Sequence, residues 1–294
     1  MKSNRDGFRD PNFPALLDAA IAGRTDALYT LLAKLSGLPG TRVNMGTVES
    51  FALEAAARGK KVDELLKKMV LLDADFAPGG SAHEIVPVCA VHALAARGES
   101  DPASRDMALN HLHAACDDLR FRVRDAVPLG LARLGKVMGD ELVDAIVPFM
   151  DGYFHAAAAL LSLAEPVFLD ATRDGAKVVA RLAEGFDLVK NANRSASRYP
   201  GHKALMDALL LVPPKIARRY PEETVAEIDR WATSKDPALR ELALGVAKSI
   251  RARHGGEAER IRASLERTAP VPRDPTLIVQ GTRGRGKKRG LRGA

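Results

Sequence analysis

Apolar residues recur along this chain at three- and four-residue spacing almost without interruption, the pattern of a helix that buries one face. Phe13, Leu16, Leu17, Ala20 and Ile21 form one stripe, and Leu28, Leu31, Leu32 and Leu35 form the next. Val48, Phe51, Ala52, Ala55 and Ala56 follow, then Val62, Leu65, Leu66, Met69, Val70 and Leu72. Between the stripes stand Gly23, Gly37-Leu38-Pro39-Gly40, Gly59 and Pro78-Gly79-Gly80. Glycine just past a stripe suits the left-handed residue that ends a helix. The same spacing predicts helices near 83–97, 102–117, 122–138, 140–150, 153–169, 172–190, 202–219, 222–233, 237–253 and 256–268.

Asp101 before Pro102 and Asp236 before Pro237 place a carboxylate at the cap and a proline in the first turn, both helix-start signals. Pro213-Pro214 falls inside a helical pattern and predicts a break or kink, as do Pro128, Pro148 and Pro166, because proline removes a hydrogen bond and clashes with the preceding turn. The longest internal loop is expected over 191–201. No alternating stretch reaches strand length, since Leu277-Ile278-Val279 is short and isolated. The fold class expected is all-α.

Short helices joined by short turns pack either as a bundle or as a solenoid of stacked pairs, and internal repetition separates the two. The pattern Asp-Pro-x-x-Arg-x-x-Ala occurs at Asp101 to Ala108 and again at Asp236 to Ala243, with a looser relative from Asp118 to Gly130. It resembles the second helix of HEAT repeats. That resemblance, clearest over 101–135 and 221–253, implies a right-handed α-solenoid of HEAT-like helical hairpins, about six of them. It also implies that Arg105 and Arg240 bond the neighbouring repeat. The expected organisation is a solenoid over residues 1–270 and a flexible basic tail over 271–294.

Composition agrees with packed helices. Hydrophobic residues are 46% of the 294 and aromatics only 5%, with one Trp, which disfavours sandwiches and barrels built from aromatic and β-branched strands. Wholesale disorder is excluded by the same apolar content. Two cysteines cannot form a disulfide framework. No secretory h-region or membrane-length apolar run is visible, so a cytoplasmic protein without membrane association is the expectation.

Charge is concentrated at one end. The formal net charge is +7, and six of those cations are Arg283, Arg285, Lys287, Lys288, Arg289 and Arg292, in a final fourteen residues without an acid. Residues 1–280 therefore carry only +1. Five glycines in that segment oppose a stable helix, and a cationic arm of this kind binds polyanions through counterion release. Nucleic acid or an acidic protein is the expected partner of the tail, and an unidentified macromolecule that of the solenoid's concave face.

Four constellations are candidates for chemistry. Trp231, Asp236 and Arg240 sit together in a segment that resembles the DNA alkylation repeat family of DNA glycosylases. That resemblance implies duplex DNA held against a concave surface, with an electron-rich indole and a carboxylate stabilising a cationic sugar. Cys89 with His92, and His113 with Cys116, are i, i+3 pairs whose thiolates and imidazoles would make a tetrahedral zinc set, although a hairpin turning near residue 99 leaves His113 out of register. The loop Gly37 to Asn44 could present Arg42 and Asn44 to an anion or partner, but matches no phosphate-binding fingerprint. Lys215, Arg218 and Arg219, with Arg194, Arg198, Arg230, Arg240, Lys248, Arg251 and Arg253, could form a cationic stripe, with Glu222, Glu223, Glu227, Asp229 and Glu241 interspersed. No triad, metalloprotease signature or paired catalytic carboxylate can be argued from spacing, and no cofactor is implied.

A non-catalytic helical-repeat scaffold with a polyanion-binding tail is therefore the leading functional expectation. A glycosylase of the alkylation repeat type and a protein–protein adaptor are the alternatives.

Overall fold

The computed structural model describes residues 12–193 and 195–269. These contain only α-helices, short 3-10 turns and connecting segments. In order the helices are α1 (Phe13–Ile21), α2 (Asp26–Leu35), α3 (Met45–Ala57), α4 (Asp63–Val70), α5 (Ile85–Ser100), α6 (Arg105–Ala115), α7 (Phe121–Met138) and α8 (Asp140–Ala145). There follow α9 (Tyr153–Leu163), α10 (Pro166–Leu169), α11 (Gly175–Lys190), α12 (Pro200–Leu211), α13 (Pro213–Ile216), α14 (Pro221–Ala232), α15 (Pro237–Ile250) and α16 (Gly255–Arg267). None of these is long and apolar enough to cross a membrane.

The all-α expectation holds across this span, and the caps act as their chemistry requires. Asp101 Oδ1 accepts from Ala103 N at 3.1 Å, and Asp236 Oδ1 accepts from Ala238 N at 2.8 Å. Each satisfies one of the donors a helix start leaves unpaired. The expected break at Pro213 separates α12 from α13, and Pro166 separates α9 from α10. The segment before Pro148 ends as α8, followed by a 3-10 turn over Val147–Asp151. Pro128 differs: α7 runs through it. One lost backbone bond there is outweighed by the burial of Val123, Ala126, Val127, Leu131 and Leu134 on the same helix.

Packing follows an alternating order. Helix α3 packs on α5, α5 on α7, α7 on α9, α9 on α12 and α12 on α15, forming one row. Helices α4 and α6 also pack against α5, α11 packs against α9 and α12, and α14 and α16 pack against α15. Small residues line several helix contacts, both within the row and between the row and the other helices. A side chain at Gly130 would meet Leu112 and Ala95, and one at Gly185 would meet Leu160.

Helix α5 is the centre of the N-terminal half. Every residue from Ile85 to Gly98 is buried, so it carries Val, Ala, Leu and Cys on all sides rather than one stripe. The charged exception is Arg97, 2% exposed. Its Nε donates to Asp63 Oδ1 at 3.0 Å, and Nη2 donates to Ser104 Oγ at 2.7 Å and Asp101 Oδ2 at 3.2 Å. That arrangement ties α4, α5 and the start of α6 together.

Candidate binding cleft

The loop between α2 and α3 is closed on itself. Ser36 Oγ accepts from Leu38 N at 2.9 Å, the Ser36 carbonyl accepts from Asn44 N at 2.8 Å, and the Leu38–Pro39 peptide bond is cis. Gly37 lies at φ +76°, and a side chain there would stand 2.9 Å from the Arg42 carbonyl, so this turn requires glycine. Asn44 has a structural role. It caps α3, with Oδ1 accepting from Gly46 N and Thr47 N.

This closed loop forms one wall of a cleft of about 310 Å³. Thr41, Arg42, Val43 and Met45 line that side, Val88 and His92 of α5 lie at the floor, and Phe121, Arg122, Asp125, Ala126 and Leu129 of α7 form the opposite wall. Met45, Phe121 and Leu129 remain 45%, 50% and 43% exposed. Apolar side chains left in water around a concavity mark a surface suited to covering by a partner.

Polar groups are placed within this apolar frame. His92 is 6% exposed and its Nε2 is buried without a hydrogen-bond partner. Burial, reinforced by the nearby Arg133 guanidinium, lowers its pKa to about 4, so the imidazole is neutral near pH 7. Asp125 is an exposed residue, yet partial desolvation of its carboxyl raises its pKa above the usual carboxylate range despite Arg124 and Arg122 nearby. Arg122 stacks on Phe121 with its guanidinium carbon 4.5 Å from the ring centre, and its Nη1 bonds Glu84 Oε2 at 2.9 Å. Glu84 is fully buried, and Oε2 also accepts from Gly80 N at 2.6 Å.

A second cleft of about 380 Å³ lies between α12 and α15, lined by Met206, Asp207, Leu210, Ala238, Glu241, Leu242, Leu244, Gly245 and Lys248. Both clefts open between helices of the same row.

The other sequence candidates have definite surroundings. Trp231 is completely buried, stacks on Phe186 with centroids 4.7 Å apart, and donates from Nε1 to Glu227 Oε1 at 2.6 Å. Arg240 donates to the carbonyls of Ala232 and Ser234, to the Thr268 carbonyl and hydroxyl, and to the Leu265 carbonyl. It thereby joins the ends of α14 and α16. Arg105 reaches Glu141 of α8 at 3.4 Å.

Cys89 and Cys116 are buried free thiols whose pKa values burial raises. Cys116 Sγ donates to the Leu112 carbonyl at 3.5 Å. Among Cys89, His92, His113 and Cys116, it is His113 that joins a gathering of metal-capable groups, and its companions are Asp151 and His155. In the cationic stripe, Arg230 is paired with Glu227 and Asp187, and Arg251 with Glu259. Lys215, Arg218 and Arg219 line a cleft of about 380 Å³ that also holds Glu165 and Asp170. Arg194 and the tail cations Arg283, Arg285, Lys287, Lys288, Arg289 and Arg292 lie outside the described residues.

Sequence reasoning singled out His92 and Arg42 but not Phe121, Asp125 or Leu129. The signal available for Phe121 was its place at the first position of a helix, where an aromatic has no stripe to join. No family model matches the chain, and no curated protein matches it significantly.

Proposed function

We propose that this chain is a non-catalytic helical-repeat scaffold that binds another macromolecule along the face of its helix row. In this reading the row α3, α5, α7, α9, α12 and α15 lines the concave side of a right-handed solenoid of HEAT-like hairpins. The alternating packing supports the arrangement, since each row helix contacts the next while the intervening helices back the row. Extended concave faces of this kind bind macromolecules rather than small substrates.

The observation that carries the reading is the exposure of Met45, Phe121 and Leu129 around a cleft with a neutral imidazole at its floor. Apolar anchors with few charges suit a protein segment, because duplex DNA requires a dense array of cations. The tail segment holding Arg283 to Arg292 would add non-specific affinity for nucleic acid or an acidic surface. The completely buried Trp231, with one face on Phe186, weighs against the glycosylase alternative.

Two experiments test this. A photo-crosslinking amino acid replaces Leu129 in the full chain, in cells that make the protein natively, with the same reporter at exposed Leu71 beside α4 as control. A discrete protein adduct from position 129 and none from 71 is expected, whereas identical adducts or none at either position overturns the protein-binding cleft. For the tail, labelled single- and double-stranded oligonucleotides are titrated against the full chain and a 281–294 deletion at several salt concentrations. The deletion should weaken binding and flatten its salt dependence by up to about six phosphate contacts; unchanged binding overturns the arm.

A further inference from the structure

We infer that His113, Asp151 and His155 form a binding site for a divalent ion of the zinc class, which ties α6 to the segment leading into α9. One ligating atom from each residue lies within 4.8 Å of the other two. His113 Nε2 is 3.3 Å from Asp151 Oδ2, and His155 Nδ1 is 3.9 Å from Asp151 Oδ1. A tetrahedral ion with bonds of about 2.0–2.1 Å holds its ligands roughly 3.3 Å apart. His113 and Asp151 stand at that spacing; the histidines approach different Asp151 oxygens and the donors spread over as much as 4.8 Å, so ion binding draws the side chains together by up to about 1.5 Å.

Three residues separated by up to forty-two positions in the chain are brought to one point by packing. His113 lies in the last turn of α6, Asp151 ends the 3-10 turn, and His155 lies in the first turn of α9. The imidazole rings lie with centroids 4.2 Å apart, and Phe149 packs edge-on against the His113 ring at 4.9 Å. His155 is 6% exposed and its Nε2 is buried without a hydrogen-bond partner. That nitrogen faces Asp117 and the ring also makes a hydrogen bond with the His113 backbone, so the case for an ion rests on two imidazoles and a carboxylate gathered at one point.

The surroundings are those of a ligand set with support behind it. Asp117 Oδ2 stands 3.6 Å from His155 Nε2, on the side away from Asp151. With Nδ1 ligating, that carboxylate orients the ring from behind, as outer carboxylates do in many metal sites. His113 Nε2 is also 3.3 Å from the Pro148 carbonyl. Ligation through Nε2 needs the neutral tautomer with its proton on Nδ1, and the Pro148 oxygen then stands next to the ion. Two imidazoles with one carboxylate select zinc-like ions over calcium or magnesium, which require mostly oxygen ligands. Asp151 is 58% exposed on its side chain, so the ion has a path in and at least one position left for water.

The test uses the full chain without a histidine tag, stripped with a chelator. It is titrated with Zn²⁺ by calorimetry and with Co²⁺ by visible absorption. One ion per chain is expected, with Co²⁺ bands of four- or five-fold coordination and a rise in Tm on adding Zn²⁺. Asp151→Asn, at an exposed position and with its fold checked by circular dichroism, should weaken binding by at least about tenfold and abolish the Tm rise. His113→Ala should do the same, while Cys116→Ser should leave binding unchanged. Absence of Zn²⁺ uptake from an equimolar mixture overturns the site. So does binding that survives both Asp151→Asn and His113→Ala, or that depends on Cys116 instead.

Discussion

Trp231 of α14 lies flat on Phe186 of α11, with ring planes 6° apart and centroids separated by 4.7 Å. The indole nitrogen donates to Glu227 Oε1, and that same oxygen accepts from Arg230 Nη2 at 2.6 Å. The largest side chain among the described residues is thus held by stacking and by a charged pair, and it joins α11 to α14.

Trp231→Ala should therefore lower stability by about 3–5 kcal/mol, the usual effect of emptying a large aromatic site. Trp231→Phe keeps the stack but leaves Glu227 one donor short, and should lower it by about 1–3 kcal/mol. Chemical denaturation of the two variants checks the order. A fully stable Trp231→Ala protein would contradict the packing role.

Arg97 is the charged group inside α5. Removing it with Arg97→Ala strips Asp63, Asp101 and Ser104 of a shared donor. Loss of one partner from a buried ion network typically weakens a protein by about 3–5 kcal/mol. Asp101 is one-third exposed and regains water, so the lower end, about 3 kcal/mol, is expected from denaturant unfolding.

Two glycines make a matched pair for testing close packing. A methyl at Gly135 would sit 2.1–2.6 Å from carbons of the Phe168 ring, whereas one at Gly245 would meet only the tip of Leu210 at 2.7 Å. Gly135→Ala should destabilise by about 1–3 kcal/mol, because a buried aromatic cannot swing away. Gly245→Ala should be neutral or stabilising by up to about 1 kcal/mol, since Leu210 can rotate and alanine favours the helix. Thermal melts of the two variants would separate these outcomes.

His92 predicts an acid-sensitive fold. Its pKa falls from 6.5 to about 4 in the native protein through burial and Arg133. The unfolded chain therefore takes up a proton first as pH drops, and stability declines between about pH 6.5 and pH 4, then levels off. The full contribution is about 3 kcal/mol. Around the imidazole, α7 presents Arg133, Arg122 and Asp125, and the loop before α3 presents Arg42. Arg133 is itself neutralised by Glu99 and Glu49, which leaves desolvation as the main cause. Unfolding free energies measured across this range should lose that portion of the slope in His92→Gln. An unchanged slope would show that His92 is not the titrating group.

Helices were the legible part of the sequence because each writes its period locally. The Asp101 and Asp236 caps and the stop at Pro213 were equally local. Pro128 was not, since its tolerance depends on how much apolar surface α7 buries against its neighbours. The cleft was half legible: the Gly37 loop and His92 stand out in sequence, but the wall carrying Phe121 and Leu129 comes from some eighty residues further along. His113 and His155 could not be paired by spacing, since one lies in the last turn of α6 and the other in the first turn of α9. The i, i+3 pairing of His113 with Cys116 directs attention along one helix, whereas the contact that forms runs between two.

The enclosure of α5 on every side bears on how this chain can be shortened or cleaved. A fragment that starts or stops beside residues 85–98 bares a largely oily rod and strips Arg97 of its partners, and should precipitate. A protease would find no foothold there, and viable halves must be divided elsewhere.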